Sequence, residues 1–99
     1  MSTPRKITHW INGRAEAGAS DRHGTVFNPA TGQVAATVPM ANEADVAAAV
    51  VAASSAFPDW AATSPIRRAR VMFRFKELIE QHRNEIAAMI TAEHGKVLT

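Results

Sequence analysis

Alanine is the residue that most constrains this chain: twenty of its 99 positions carry it, leaving 26 larger apolar side chains of Val, Ile, Leu, Met, Phe and Trp. Each large side chain contributes roughly 1.5 to 3 kcal/mol when buried, against about 1 to 2 kcal/mol per residue for ordering the backbone. A methyl group lets backbones approach whatever they pack on but adds little burial of its own, so the surplus suits a segment laid against something large. Ninety-nine residues make one small domain at most, which excludes a two-domain enzyme with its own substrate cleft. Residues 1–99 are therefore expected to be an incomplete part of a larger fold.

Composition narrows the function classes further. With no cysteine, the segment has no disulfide, thiolate metal site or cysteine nucleophile. Eleven Lys and Arg against nine Asp and Glu give a net charge of only +2, a weak argument for nucleic acid. No apolar run approaches the ~18 residues of a membrane span. Met1 to Lys6 is short and polar, unlike a signal peptide or an organellar presequence, and Lys96 to Thr99 brings no closing element. A natural start, a cut end and a cytoplasmic setting are the expectation.

Two β-hairpins are predicted over residues 7–38. Ile7 to Ile11 alternates apolar and polar positions and meets Asn12-Gly13, the pair best able to supply two positive φ angles in a type I′ turn, with Arg14 to Glu16 returning. Gly18 to Gly24 reads as a loop. Thr25 to Phe27 then enters Asn28-Pro29-Ala30-Thr31-Gly32, where Pro29 presets φ and Gly32 takes a left-handed conformation, and Gln33 to Val38 leads away to Pro39.

Two helices follow. Asn42 caps the first, over 42–57, with Glu43 and Asp45 in its first turn; Val46, Val50, Ala53 and Phe57 form one stripe, Pro58 stops it, and Trp60 lies in the connection. Ser64-Pro65 opens a long helix over 65–94 with Met72, Phe75, Ile79, His82, Ile86 and Ile90 on one face, Lys76 and Glu80 paired at i,i+4, and Gly95 as its stop.

Candidate chemistry is sparse. His9 falls in a strand, His23 in a loop, and His82 and His94 are more than three helical turns apart, so no metal site is expected. No nucleophile–base pair or carboxylate pair is suggested by spacing, and Gly13, Gly18, Gly24, Gly32 and Gly95 make no phosphate-binding glycine motif. Arg67, Arg68, Arg70 and Arg74 stand out. Arg67, Arg70 and Arg74 share a face at the positive end of the helix dipole, where each exposed cation costs roughly 0.3 to 1 kcal/mol. That face is a solvated basic surface, a contact for carboxylates or carbonyls elsewhere, or a nucleic-acid site without interleaved aromatics.

The order of parts resembles the N-terminal region of the aldehyde dehydrogenase superfamily: Trp10-Ile11-Asn12-Gly13, Phe27-Asn28-Pro29-Ala30-Thr31-Gly32-Gln33-Val34, Ala56-Phe57-Pro58-Asp59-Trp60 and Glu93-His94-Gly95-Lys96 carry the likeness over nearly the whole chain. Pro65 to Leu78 and Ile90 to Lys96 are most similar to the CoA-acylating methylmalonate-semialdehyde dehydrogenases. The resemblance implies an α+β segment, two hairpins then two helices, from the cofactor-binding side of an α/β enzyme. It implies NAD-dependent oxidation of a semialdehyde through a cysteine thioester, with CoA as acyl acceptor and loss of CO₂, in valine, myo-inositol or β-alanine catabolism. Other NAD(P)-dependent types, acting on succinate semialdehyde or betaine aldehyde, are alternatives, as is a small basic module that binds protein or nucleic acid. The family's nucleophile, base, oxyanion-hole amide and cofactor turn would lie beyond Thr99, so no catalytic, cofactor-binding or metal residue is assigned here. Some relatives hold a monovalent cation through backbone carbonyls that would correspond to Val26 and Phe27. The implied partners are the remainder of the same chain and further subunits of a dimer or tetramer, with neither nucleic acid nor membrane.

Overall fold

The computed structural model describes residues 3–98; the expectations for Met1, Ser2 and Thr99 lie outside them. Five short strands precede three helices: β1 Arg5–Lys6, β2 His9–Ile11, β3 Arg14–Glu16, β4 His23–Phe27, β5 Val34–Pro39, α1 Glu43–Ala62, α2 Pro65–Gln81 and α3 Arg83–His94.

Both hairpins form. Asn12 and Gly13 take φ of 55° and 76°, the two positive values a type I′ turn needs, and pair His9 with Glu16. The second turn closes through Asn28 N–H to Gln33 O at 2.7 Å and Gly32 N–H to Asn28 O at 2.8 Å, with Gly32 at φ 76°. β4 starts earlier than expected, so His23 and Gly24 are strand residues paired with Pro39 and Val38, not loop.

The hairpins belong to separate sheets. β1 pairs parallel with β5, Arg5 opposite Ala36, giving the order β1-β5-β4, while β2 and β3 stand alone. Both β1 side chains are exposed, so the pairing rests on backbone and leaves no alternation to read in the sequence.

Two helix boundaries differ from expectation. α1 does not stop at Phe57 but passes through Pro58 to Ala62. A proline's φ is helical and it forfeits its own N–H bond, at a cost of about 3 kcal/mol in a helix interior. Here the final turn is held by Thr63, whose N–H donates to Asp59 O and Trp60 O and whose hydroxyl donates to Asp59 O at 2.8 Å. Trp60 is thus a residue of that turn. The expected helix 65–94 is two helices, because His82 leaves helical geometry at φ −106°, ψ 20°. Hydrogen bonds still cross the break, His82 N–H to Leu78 O and Ile86 N–H to His82 O, and the imidazole Nδ1 lies 3.1 Å from Glu85 Oε1. Gly95 ends α3 at φ 82°, its Cα placed so that an added Cβ would lie 3.5 Å from the Pro29 ring.

The molecule is a plate of 49 × 39 × 17 Å with a radius of gyration of 17.4 Å, where a globular chain of this length has about 13 Å. Its accessible surface is 8313 Å², about half as large again as the roughly 5,500 Å² of a compact monomer of this mass. Among the described residues only Ala36, Pro39 and Asp45 are buried. Val46, Val50 and Phe57 of the α1 stripe, and Met72, Phe75, Ile79 and Ile90 of the α2–α3 stripe, are all exposed. The helical spacings are those the sequence predicts, and both stripes are left open among the described residues.

Candidate functional site

The most constructed place is the seam between the β2–β3 hairpin and the N-terminus of α1. Asn42 begins it: its side chain accepts from Asp45 N–H at 2.9 Å while Asp45 Oδ2 accepts from Asn42 N–H at 3.1 Å, a reciprocal capping box. Asp45 reaches further. Its Oδ1 accepts the Ala19 N–H at 2.8 Å, tying the loop after β3 to the helix across 26 positions.

His9 of β2 lies over the same carboxylate, Nε2 to Oδ2 4.0 Å, with no hydrogen-bond partner for that nitrogen among the described residues. Gly18 makes the approach possible. At φ 85° it takes a conformation that L side chains avoid, and a Cβ there would stand 3.0 Å from the His9 ring and 3.2 Å from Asp45 Oδ2. The backbone N–H groups of Asn42 and then Ala19 hold the Asp45 carboxyl below its ordinary value of 3.8; burial opposes them, and the His9 charge and the Ser20 N–H lower it further. Asp45 is therefore an anion that latches two elements together.

Beside the latch runs an open groove of about 620 Å³, with Ile11, Arg14 and Glu16 on the hairpin side and Ala48, Val51 and Ser55 on α1. Arg14 Nε donates to Glu16 Oε1 at 2.7 Å on its rim. Methyl groups dominate the walls; Ser55 supplies the hydroxyl, and the two carboxylates of the lining are already engaged, Glu16 with Arg14 and Asp45 with the backbone N–H groups of Ala19 and Asn42. The groove can receive an apolar body, and its lining carries neither cysteine nor histidine.

The other sequence candidates do not assemble into a site. His9, His23, His82 and His94 sit on separate elements, and no group of three potential metal ligands occurs among the described residues. Val26 and Phe27 end β4 at a register shift opposite β5. Arg67 and Arg70 are exposed, and Arg74 Nη1 meets Glu77 Oε2 at 3.1 Å. Lys76 and Glu80 pair at 3.6 Å as expected. Arg68 is the arginine that departs from this pattern: it is half-buried, with its Nε shielded from solvent and without an acceptor among the described residues. Gly13, Gly18, Gly32 and Gly95 take positive φ in turns, loops and a helix cap while Gly24 lies within β4, and the first turn of α1 carries Glu43 and Asp45, which repel phosphate. Among the described residues no helix is long and apolar enough to cross a membrane.

The latch was only half legible. The spacing Asn42-x-x-Asp45 is a capping-box signal, but Asp45 reads from sequence merely as a first-turn charge. Its bond to Ala19 and the proximity of His9 come from tertiary structure.

Comparison with known proteins places these features. Residues 16–99 match the model of the aldehyde dehydrogenase family. A malonate-semialdehyde dehydrogenase of Listeria monocytogenes is 41% identical over all 99 residues, which span 20% of that relative. A Sinorhizobium meliloti chain described as a methylmalonate-semialdehyde dehydrogenase, solved with NAD, superposes with a TM-score of 0.96 at 48% identity over 99% of this chain and 20% of its own. The methylmalonate-semialdehyde dehydrogenase of Oceanimonas doudoroffii gives 0.91 at 48% identity over 95% of this chain and 19% of its own. The chain thus spans about a fifth of the length of the relatives it matches.

Proposed function

The chain belongs to the aldehyde dehydrogenase family, and from that premise we propose that it is the N-terminal part of a methylmalonate- or malonate-semialdehyde dehydrogenase. The observation that carries this reading is a TM-score of 0.96 at 48% identity with a chain five times as long, joined to apolar helix faces left open here. The complete enzyme oxidises the semialdehyde with NAD and releases CO₂, with CoA as acyl acceptor. It works in the cytoplasm as a homo-oligomer. The part described here binds neither cofactor; it shapes the outside of the enzyme and covers the remainder of the fold.

The full-length enzyme is expected to form NADH and an acyl-CoA from malonate or methylmalonate semialdehyde, and residues 1–99 alone to form neither. NADH absorbance and mass spectrometry of the thioester read both products. Turnover by the 99-residue chain, or a full-length enzyme that oxidises only other aldehydes, contradicts the proposal.

The latch predicts a pH dependence in the same enzyme. Because folding depresses the Asp45 pKa, its stabilising effect is complete above the ordinary value of 3.8 and fades as pH falls through the lower folded value. Asp45→Asn should melt below wild type near neutrality, and the gap should narrow as the pH drops below 3.8. A gap independent of pH would show that the charge contributes nothing.

A further inference from the structure

Arg68 occupies a place its neighbours do not. Met72, Phe75 and Ile79 lie at i+4, i+7 and i+11 from it, so Arg68 heads the exposed apolar stripe of α2, one residue and about 100° away from the row Arg67, Arg70, Arg74. The three row arginines are exposed, where water serves a guanidinium at little cost. Arg68 is half-buried, and its Nε–H is shielded with no acceptor among the described residues. Leaving a charged donor desolvated and unpaired costs more than leaving a neutral one so.

Two further observations say what removes that cost. The first turn of α2 has no acidic residue, and the recorded ion pairs of the helix involve Arg74 and Lys76, further along. Its first turns are thus a cationic surface at the positive end of the helix dipole, one that a carboxylate complements. The stripe that Arg68 heads is also open over its length, with Met72 56% and Phe75 54% exposed, and the relatives supply about four times as much polypeptide as this chain contains. An apolar surface from that polypeptide would cover the stripe and desolvate Arg68 fully, which requires an acceptor at the same spot.

We propose that α2 is the docking face for a downstream segment of the same polypeptide, and that this segment brings a carboxylate to Arg68 Nε as its apolar side chains cover Met72, Phe75 and Ile79. The inference rests on the reading of the chain as part of a longer enzyme. Arginine suits the position because Nε–H and an adjacent Nη–H form a fork that matches a carboxylate, which lysine cannot reproduce.

Crystallography and melting of the full-length enzyme test it together. The structure should show a carboxylate oxygen of the same subunit within hydrogen-bond distance of Arg68 Nε. Arg68→Lys, which keeps the charge and loses the fork, should melt lower than wild type by about 2–4 °C, while Arg70→Lys stays within about 1 °C. A backbone carbonyl, a neighbouring subunit's carboxylate or solvent at Nε overturns the proposal, as does Arg68→Lys melting with wild type. Semialdehyde oxidation by the wild-type sample is scored separately: its absence counts against the proposed activity, while the Arg68 contact is still read from the same crystals.

Discussion

Gly18→Ala in the full-length enzyme is expected to melt markedly lower than wild type. Two costs combine. Alanine at φ 85° is strained by about 1–2 kcal/mol. Its Cβ would also lie 3.0 Å from the His9 ring and 3.2 Å from Asp45 Oδ2, so the ring must move or the loop must lift, and lifting it breaks the Ala19 N–H bond to Asp45. The total is roughly 2–3 kcal/mol. Gly13 is the control, since it has a comparable φ of 76° with nothing within 4 Å of an added Cβ. Gly13→Ala should therefore cost the backbone strain alone, about 1–2 kcal/mol. His9→Ala combined with Gly18→Ala should recover part of the loss by opening space for the new methyl. Thermal melts of the four proteins decide it; equal losses at Gly13 and Gly18 would show that backbone strain alone, without the close approach, governs the seam.

How much of this was legible depends on where each cause lies. Turn chemistry is local, so Asn12-Gly13, Asn28 to Gly32, Asn42, Ser64 and Gly95 announce their structures in sequence. Pro58 misleads because proline's loss is one hydrogen bond and the following turn is rescued by Thr63, an interaction four residues away from Asp59. His82 misleads in the other direction: it sits on the apolar stripe with correct helical spacing, and its departure involves one residue's dihedrals while the flanking hydrogen bonds persist. β1 has no apolar alternation, and Asp45 and Arg68 acquire their roles from elements distant in sequence. The arginine row at 67, 70 and 74 is what spacing reveals, whereas the informative residue is the one beside it, distinguished by burial.

The exposed area governs the second large effect, the behaviour of residues 1–99 on their own. An accessible surface of 8313 Å² exceeds that of a compact monomer of this mass by roughly 2,800 Å²; covering that with an equal partner surface would bury about 5,600 Å² in total, the scale of the largest obligate interfaces. With Val50 60% and Phe73 67% exposed, the helices lack the packing that stabilises an amphipathic face, and isolated helices of this length are marginal in water. The separate chain should therefore unfold without a cooperative transition, whereas the same residues should be ordered within the enzyme.

Amide hydrogen exchange across α1 and α2, compared between the isolated chain and the full-length enzyme, measures this most directly. If these helices are built to cover polypeptide outside residues 1–99, their amides exchange within the experimental dead time in the isolated chain and are protected by at least about a hundredfold in the enzyme. Equal protection in the two would show that the segment folds by itself and would contradict the account.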